Sequence, residues 1–324
     1  MPSSPPPPLN PGHEAVAAAM TYTQHYPRRV EAVRRALPYL FLGVYPTLGV
    51  IATLHGSWFG ILAIYGVVEI SAILAERFLP FVRPAAHNRW RNRVTDIIYL
   101  VTSPLLLLAL QQTVVPWMGN LRHSLLGDTA YWATGLPTAV QVALVLIGME
   151  FTYYWAHRLS HSNNIFWRSH RIHHSPDNVD WLMGWRIHWL NEALHLVARF
   201  VPVILLGVPT PVVALALVIV NVHSMFPHIN ADVHSARLLT KVVNTPEMHR
   251  WHHVVDPAAA GNYASTFMLW DQVFGTYRSP ILPPTTEFGI EPEELKNVPP
   301  SWSQQILSPL RKNAADRYSK AGRP

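Results

Sequence analysis

The sequence predicts an all-α integral membrane protein, with about four transmembrane helices, a re-entrant or short helical hairpin, and a histidine-rich helical cap on the cytoplasmic side. Three observations carry this expectation. Only 14% of the 324 residues are charged and 49% are hydrophobic, whereas a soluble domain carries about a quarter charged residues. Apolar runs of membrane-spanning length recur in the first half, separated by arginine clusters. Finally, 13 of the 18 histidines lie between His157 and His253, starting where the last of those runs ends.

The elements follow in order. Residues 1–12 are Pro- and Ser-rich, which predicts disorder, and they lack the basic-then-apolar order of a signal peptide. Residues 13–35 read as an amphipathic interfacial helix ending in Arg28, Arg29, Arg34 and Arg35. From Ala36 to Val68 no Asp, Glu, Lys or Arg occurs. That stretch is too long for one crossing of roughly 20 residues, and His55-Gly56-Ser57 divides it into spans at about 37–54 and 58–76. Glu69 falls inside the second, either as a functional acid or near the interface. A third span follows at 97–116 and a fourth at about 136–155. Arg28–Arg35, Arg77–Arg93 and Arg158–Arg171 then share one face, and the positive-inside rule makes that face cytoplasmic.

Residues 193–226 are apolar but contain Arg199 and a Gly207-Val208-Pro209-Thr210-Pro211 break. Each half is short for a crossing. The chain must enter and return here if the histidines on either side are to meet. The remainder is polar and should cap the site. The expected division is 1–35 as tail and interfacial helix, 36–290 as the membrane-embedded domain, and 291–324 as a polar C-terminal tail.

Eight histidines form three short clusters: His157 with His161, then His170, His173 and His174, then His249, His252 and His253. On a helix, positions i, i+3 and i+4 share one face, so each cluster presents converging imidazoles. A lone histidine is more often a hydrogen-bonded structural residue, but that reading does not account for three clusters of one grammar. Neutral imidazole ligates iron, copper or zinc, and eight imidazoles exceed the needs of one ion, which points to a metal pair. Cysteine is absent, which excludes disulfides, Cys-ligated zinc and iron–sulfur clusters in this chain. No glycine-rich nucleotide loop is visible, so electrons for redox chemistry would come from another protein. The net charge of +6 suits anionic lipid. No basic, aromatic-interleaved motif suggests nucleic acid.

The ordered set HxxxH, HxxHH, HxxHH resembles the fatty acid hydroxylase/sterol desaturase superfamily of integral-membrane di-iron enzymes. Asn244-Thr245-Pro246-Glu247-Met248 before the last box adds to the likeness. So do Gly261-Asn262-Tyr263 and Trp270-Asp271-Gln272-Val273-Phe274-Gly275-Thr276-Tyr277 after it. The similarity covers about residues 60–280. Arg186-Ile187-His188 with Glu192 resembles that family's RxHPxE element, although Trp189 replaces the usual proline and Glu192 stands one position late. Phe226-Pro227-His228-Ile229-Asn230 resembles its extra-histidine segment.

The resemblance implies two iron ions held by His157, His161, His170, His173, His174, His228, His249, His252 and His253, with His188 and His234 as further candidates. His195 and His223 read as helix-face residues within the hairpin, or as outer partners that support a ligand. Asp177, Asp180, Glu192, Glu247 and Asp271 are the acids placed to accept the second imidazole N–H. Arg158, Arg171, Arg250 and Trp251 lie inside the boxes but point elsewhere; the arginines either meet a lipid phosphate or donor protein, or mark the positive face. By resemblance, O2 is the co-substrate, and an unactivated C–H bond of a membrane lipid becomes an alcohol or an alkene. The lipid would be a fatty-acyl, alkyl-ether, aminolipid or sterol/isoprenoid substrate. A ferredoxin or cytochrome with its reductase would supply electrons, and the bacterial inner membrane is the favoured location. A metal transporter would instead place histidines within the spans. A bis-histidine haem protein would need single histidines on separate helices. A zinc hydrolase would need HExxH and a glutamate base.

Overall fold

The computed structural model describes residues 27–82, 89–127, 132–256, 261–279 and 286–310. The expectations for the Pro-rich start and most of the interfacial helix lie outside these. Residues 28–35 continue without a break into the first span, as helix α1, Arg28–Leu54. Pro38 and Pro46 bracket a π-helical turn at Leu40–Val44, where the missing amide donors loosen the α ladder. Gly56, at φ 62°, turns the chain, and the Ser57 hydroxyl accepts the Gly60 amide at 3.0 Å to start α2, Trp58–Phe78. Then come α3, Arg89–Leu126, and α4, Thr138–Ser162. Asn163 is extended and caps α5, Asn164–His174, which ends before Pro176 as the local sterics require.

The hairpin is α6, Trp189–Leu206, and α7, Thr210–Ser224, joined through Gly207 in the left-handed region. It reaches deeper than a short re-entrant loop. At its tip the Trp132 indole donates to the Leu205 carbonyl at 3.3 Å, level with the start of α4, while the ends of the hairpin lie by the histidines. By length and composition α6 joins α1, α2, α3 and α4 as a fifth helix able to cross a membrane, and α7 is shorter. Among the described residues no β-strand occurs, only isolated bridges. The remaining helices are short: α8 Arg237–Val242, α9 Pro246–His252, α10 Leu269–Val273, α11 Pro292–Leu295 and α12 Trp302–Gln305.

Packing follows the apolar pattern. One core joins α1, α2 and α7 through Phe41, Val68, Ala72, Val218 and Val222. Another joins α4 to α7 through Val145, Met149, Val212, Ala216 and Val220. Large apolar side chains such as Leu62, Ile70, Val101 and Leu105 remain exposed on α2 and α3, as a lipid-facing surface requires.

Polar ties collect at one end of the bundle. Arg34 at the start of α1 pairs with Asp232 at 2.6 Å. Glu76 at the end of α2 accepts the amides of Trp181 (2.7 Å) and Asn230 (2.9 Å). At the start of α3, Arg93 pairs with Asp180 and Asp96 with Arg186. The three arginine groups therefore share one end, as the charge pattern predicts. Glu69 accepts the Trp185 indole N–H at 2.9 Å and so ties α2 to the turn before the hairpin. Residues 286–310, largely within the expected polar tail, fold back over the cap: Gln305 accepts the Tyr99 hydroxyl and Glu294 pairs with Arg171.

Candidate metal centre

Three helix ends and one turn build the centre. His157 and His161 occupy the last turns of α4, His170, His173 and His174 the end of α5, and His249 and His252 the end of α9, with His253 following. Pro246 at the first position of α9, behind an extended Thr245, fixes the start of that helix. His228 comes from the turn after α7. The nine imidazoles separate into two groups. His157, His161, His170, His174 and His252 form one; His173, His228, His249 and His253 form the other, with ligand atoms within 4.8 Å of one another.

The contacts are between Nε2 atoms. In the first group His170 faces His157 at 3.1 Å and His174 at 3.0 Å, and His161 faces His252 at 3.2 Å. In the second, His228 faces His173 at 3.2 Å and His249 at 2.9 Å, and His249 faces His253 at 3.1 Å. His157 Nδ1–H donates to the Tyr263 carbonyl at 2.7 Å and His252 Nδ1–H to the Gly261 carbonyl at 3.2 Å. With the proton on Nδ1, the Nε2 of a neutral ring is bare. Bare nitrogens so close repel unless a cation lies among them. Metal–nitrogen bonds of about 2.1 Å meeting at right angles put neighbouring nitrogens about 3.0 Å apart, and a tetrahedral angle puts them at about 3.4 Å. The observed spacings sit nearer the first. The donor set thus fits two metal ions.

Burial keeps seven of these rings neutral, as metal binding needs. His170, His173, His174, His249, His252 and His253 are held well below the ordinary histidine value, first by desolvation and then by neighbouring imidazoles. Desolvation pushes His228 down to about 4.

One loop positions the first group. Gly261 and Tyr263 supply the two carbonyls, and the loop is fixed from below by Asp271, which is fully buried. Asp271 accepts the amides of Tyr263 and Ala264, both at 2.8 Å, and the Thr276 hydroxyl at 2.6 Å. Asn262 between the carbonyls adopts φ 54°, and its amide group donates to the Met248 and Arg278 carbonyls. A Cβ at Gly261 would meet the Thr276 carbonyl oxygen and the Arg278 side chain, so only glycine permits that approach. Sequence reasoning noticed this tripeptide as a motif but assigned it no role. A Gly-Asn pair before an aromatic, close behind a histidine box, was the available signal.

The other expected site residues lie elsewhere. His188 caps α6, accepting the Leu190 amide at Nδ1, while its Nε2–H meets the Ile306 carbonyl; both ring nitrogens are taken, and it joins neither group. His234 is 42% exposed and pairs with Glu31. Asp177 is exposed in the turn after α5. Glu192 lies within electrostatic reach of Tyr153 and Arg199. Asp271 acts on the imidazoles through carbonyls rather than by direct contact. Asp180 binds Arg93 and the Met183 amide, and Glu247 binds Ser235. His223 Nε2–H donates to the Asn244 carbonyl.

For two of the box arginines burial removes one of the two readings. Arg171 is 1% and Arg250 2% exposed, so neither meets lipid nor a donor protein. Arg171 pairs with Glu294. Arg250 lies 3.9 Å over the Phe81 ring and donates to the Ile229 and Ala231 carbonyls. Trp251 packs with Phe81, Val179, Met183 and Phe288. Arg158 is half-buried over Trp155.

Comparison with known proteins agrees with this geometry. The family model "Fatty acid hydroxylase" matches residues 142–276, which contain all nine histidines. This segment is a fatty acid hydroxylase domain, of the fatty acid hydroxylase/sterol desaturase superfamily. The chain is 28% identical to the ornithine lipid hydroxylase OlsE of Rhizobium tropici over 283 residues, 82% of this chain and 81% of that protein. It is 30% identical to the alkylglycerol monooxygenase of Xenopus tropicalis over 135 residues, which are 41% of this chain and 30% of that one. A Delta(7)-sterol 5(6)-desaturase of Gibberella zeae is 27% identical over 241 residues, 69% of this chain and 62% of its own. These relatives are lipid hydroxylases, monooxygenases and desaturases. No solved structure matches this chain.

Proposed function

We propose that this protein is a di-iron, O2-dependent hydroxylase of a membrane lipid. The observation that carries the reading is the pair of buried all-imidazole groups whose ligand nitrogens converge within each group. His157, His161, His170, His174 and His252 would hold one iron, and His173, His228, His249 and His253 the other. Bound there, the iron pair would supply the oxidising power for an unactivated C–H bond, which no side chain can supply.

The chain's own residues do the rest. The Tyr263 and Gly261 carbonyls hold protons at Nδ1 of His157 and His252, keeping Nε2 free as the ligand atom. Asp271 fixes those carbonyls. Residues 286–310 and the loop around Gly261 cover the polar side and exclude water. The histidine groups lie at one end of the five apolar helices, where a lipid's polar portion and its neighbouring carbons can reach them. The shared arginine face argues for a cytoplasmic orientation of that end, at a bacterial inner membrane, where a ferredoxin or cytochrome with its reductase would deliver electrons. Fatty-acyl, alkyl-ether, aminolipid and sterol or isoprenoid lipids are the substrate class, and alcohol formation is the favoured outcome over desaturation.

The test is metal content with Mössbauer spectroscopy on detergent-purified protein from iron-57-grown cells, beside His173→Ala. About two irons per chain, with one site lost or altered in the variant, is the expected result. Zinc alone, even after reconstitution with ferrous ion, would overturn the oxidation reading in favour of a hydrolase or transporter.

A further inference from the structure

On the membrane side of the five-histidine group, a column of polar side chains descends between α4 and α6. On α4, Glu150, Tyr153 and His157 follow at three- and four-residue spacing and so share one face, reaching about 10 Å below His157. On α6, Asn191, His195 and Arg199 follow at four-residue spacing and share a face in the same way. The Tyr153 ring lies 5.3 Å from the His157 ring and 4.6 Å from the His195 ring, and the Arg199 guanidinium lies 4.2 Å over Tyr153. Arg199 also donates to the Ser265 hydroxyl. Ionisable groups inside spanning helices are costly and mark function more often than packing.

A second observation points to a ligand. One oxygen of Glu150 accepts the Thr266 and Phe267 amides, but its Oε1 has no partner, although Glu150 is 0% exposed. Asn191 Oδ1, His195 Nε2 and Arg199 Nε are also without partners, and Asn191 and His195 are buried. Each such group costs about 1–3 kcal/mol when left unsatisfied. Four in one column are better explained by a molecule that completes them. Tyr153, Glu192 and Arg199 beside them are only partly buried.

We propose that this recess seats an uncharged polar group of the lipid substrate, an amide or hydroxyl, and so selects the carbon that reacts. The open positions comprise a donor at Arg199 and acceptors at Glu150 and Asn191, and an amide or hydroxyl both donates and accepts. A charged group would have to shed its water beside one guanidinium and two carboxylates. Because a single ring separates Arg199 from His157, the C–H bond presented to the five-histidine group lies within a few bonds of that polar group, not far along an alkyl chain. The consequence for the reaction rests on the hydroxylase reading; the binding itself does not.

The test uses full-length protein in phosphatidylcholine nanodiscs. The probe is N-oleoylethanolamine carrying a diazirine beside the amide, with cross-links mapped by mass spectrometry. Labelling within residues 149–157 and 191–199 is expected. Unlabelled N-oleoylethanolamine should compete at least about tenfold better than 1-octadecene, and Asn191→Leu and Arg199→Met should each weaken that competition about tenfold. Labels spread over the lipid-facing sides of α2 and α3, equal competition by the hydrocarbon, or wild-type labelling in Asn191→Leu would overturn the proposal. Iron content measured on the same samples separates the two readings. Labelling without iron refutes the hydroxylase and spares the recess, and iron without labelling does the reverse.

Discussion

Replacing Asp271 with asparagine tests whether the carbonyl loop positions the metal ligands or merely completes the fold. Asp271 meets donors only: two amides at 2.8 Å and a hydroxyl at 2.6 Å. The carboxamide of the variant would retain one acceptor oxygen. In the least costly orientation its NH2 group faces the Ala264 N–H, and its oxygen keeps Tyr263 and Thr276. One charge-assisted hydrogen bond is then lost and a buried N–H is left unpaired, at a cost of about 2–3 kcal/mol. The Tyr263 carbonyl, freed on one side, holds His157 Nδ1 less firmly. Loss of such an outer partner lowers metal affinity about 10- to 100-fold. Thermal unfolding in detergent reads the first effect, and the rate of metal loss to a chelator reads the second. Thr276→Val, which keeps both amide contacts, is the control and should lower stability by about 1 kcal/mol without speeding metal loss. If Asp271→Asn destabilises the protein but releases metal at the wild-type rate, the argument from Asp271 through Tyr263 to His157 is wrong.

Three further outcomes follow from the same geometry. Gly261→Ala places a Cβ against the Thr276 carbonyl, and overpacking of this kind costs about 1–3 kcal/mol; thermal unfolding and chelator competition should show lower stability together with weakened metal retention. His188→Ala removes a helix cap worth about 1 kcal/mol, and His234→Ala breaks an exposed pair worth less, so inductively coupled plasma mass spectrometry should find wild-type metal content in both. Lowering pH should destabilise the metal-free protein. His228 and His188 are held at about 4 by burial, whereas an unfolded histidine titrates near 6.5, so the unfolded state binds more protons and stability falls as pH drops below about 6.5 towards 4. Urea unfolding across that window checks the sign; stability rising towards pH 4 would contradict it.

The parts of this protein that sequence could show are those encoded by local spacing. His157 with His161, and His170 with His174, lie four apart on helices, and helix geometry alone brings each pair together. The arginine groups around spans one to four likewise foretold which helix ends meet. What stayed hidden depends on partners distant in the chain. His188 has the composition of a ligand, but its Nε2–H is taken by Ile306, 118 residues away. Arg250 reads as a surface cation until the carbonyls of Ile229 and Ala231 and the ring of Phe81 enclose it. Asp271 could be recognised as an acid near the boxes, yet nothing local reveals that it works through a carbonyl.

The same division explains why the centre sits at one end of the bundle rather than in its middle. Nine imidazoles bring no charge of their own, so the cap must be held by other means, and the ion pairs do this from the ends of the spans. Arg34 reaches Asp232, Arg93 reaches Asp180, and Asp96 reaches Arg186, each tie joining a transmembrane helix to a segment that carries or adjoins a histidine. Deep in the membrane such pairs would cost more in desolvation than they return. At the helix ends Arg93 stays partly exposed while Arg186 and Asp96 are buried against each other, and the pairs fix the two groups without supplying a ligand. The apolar spans therefore set the depth of the site and the charged ends set its shape. A substitution such as Asp96→Asn should disturb metal retention although Asp96 touches no imidazole, because Arg186 and the turn leading from His174 to α6 would lose their anchor.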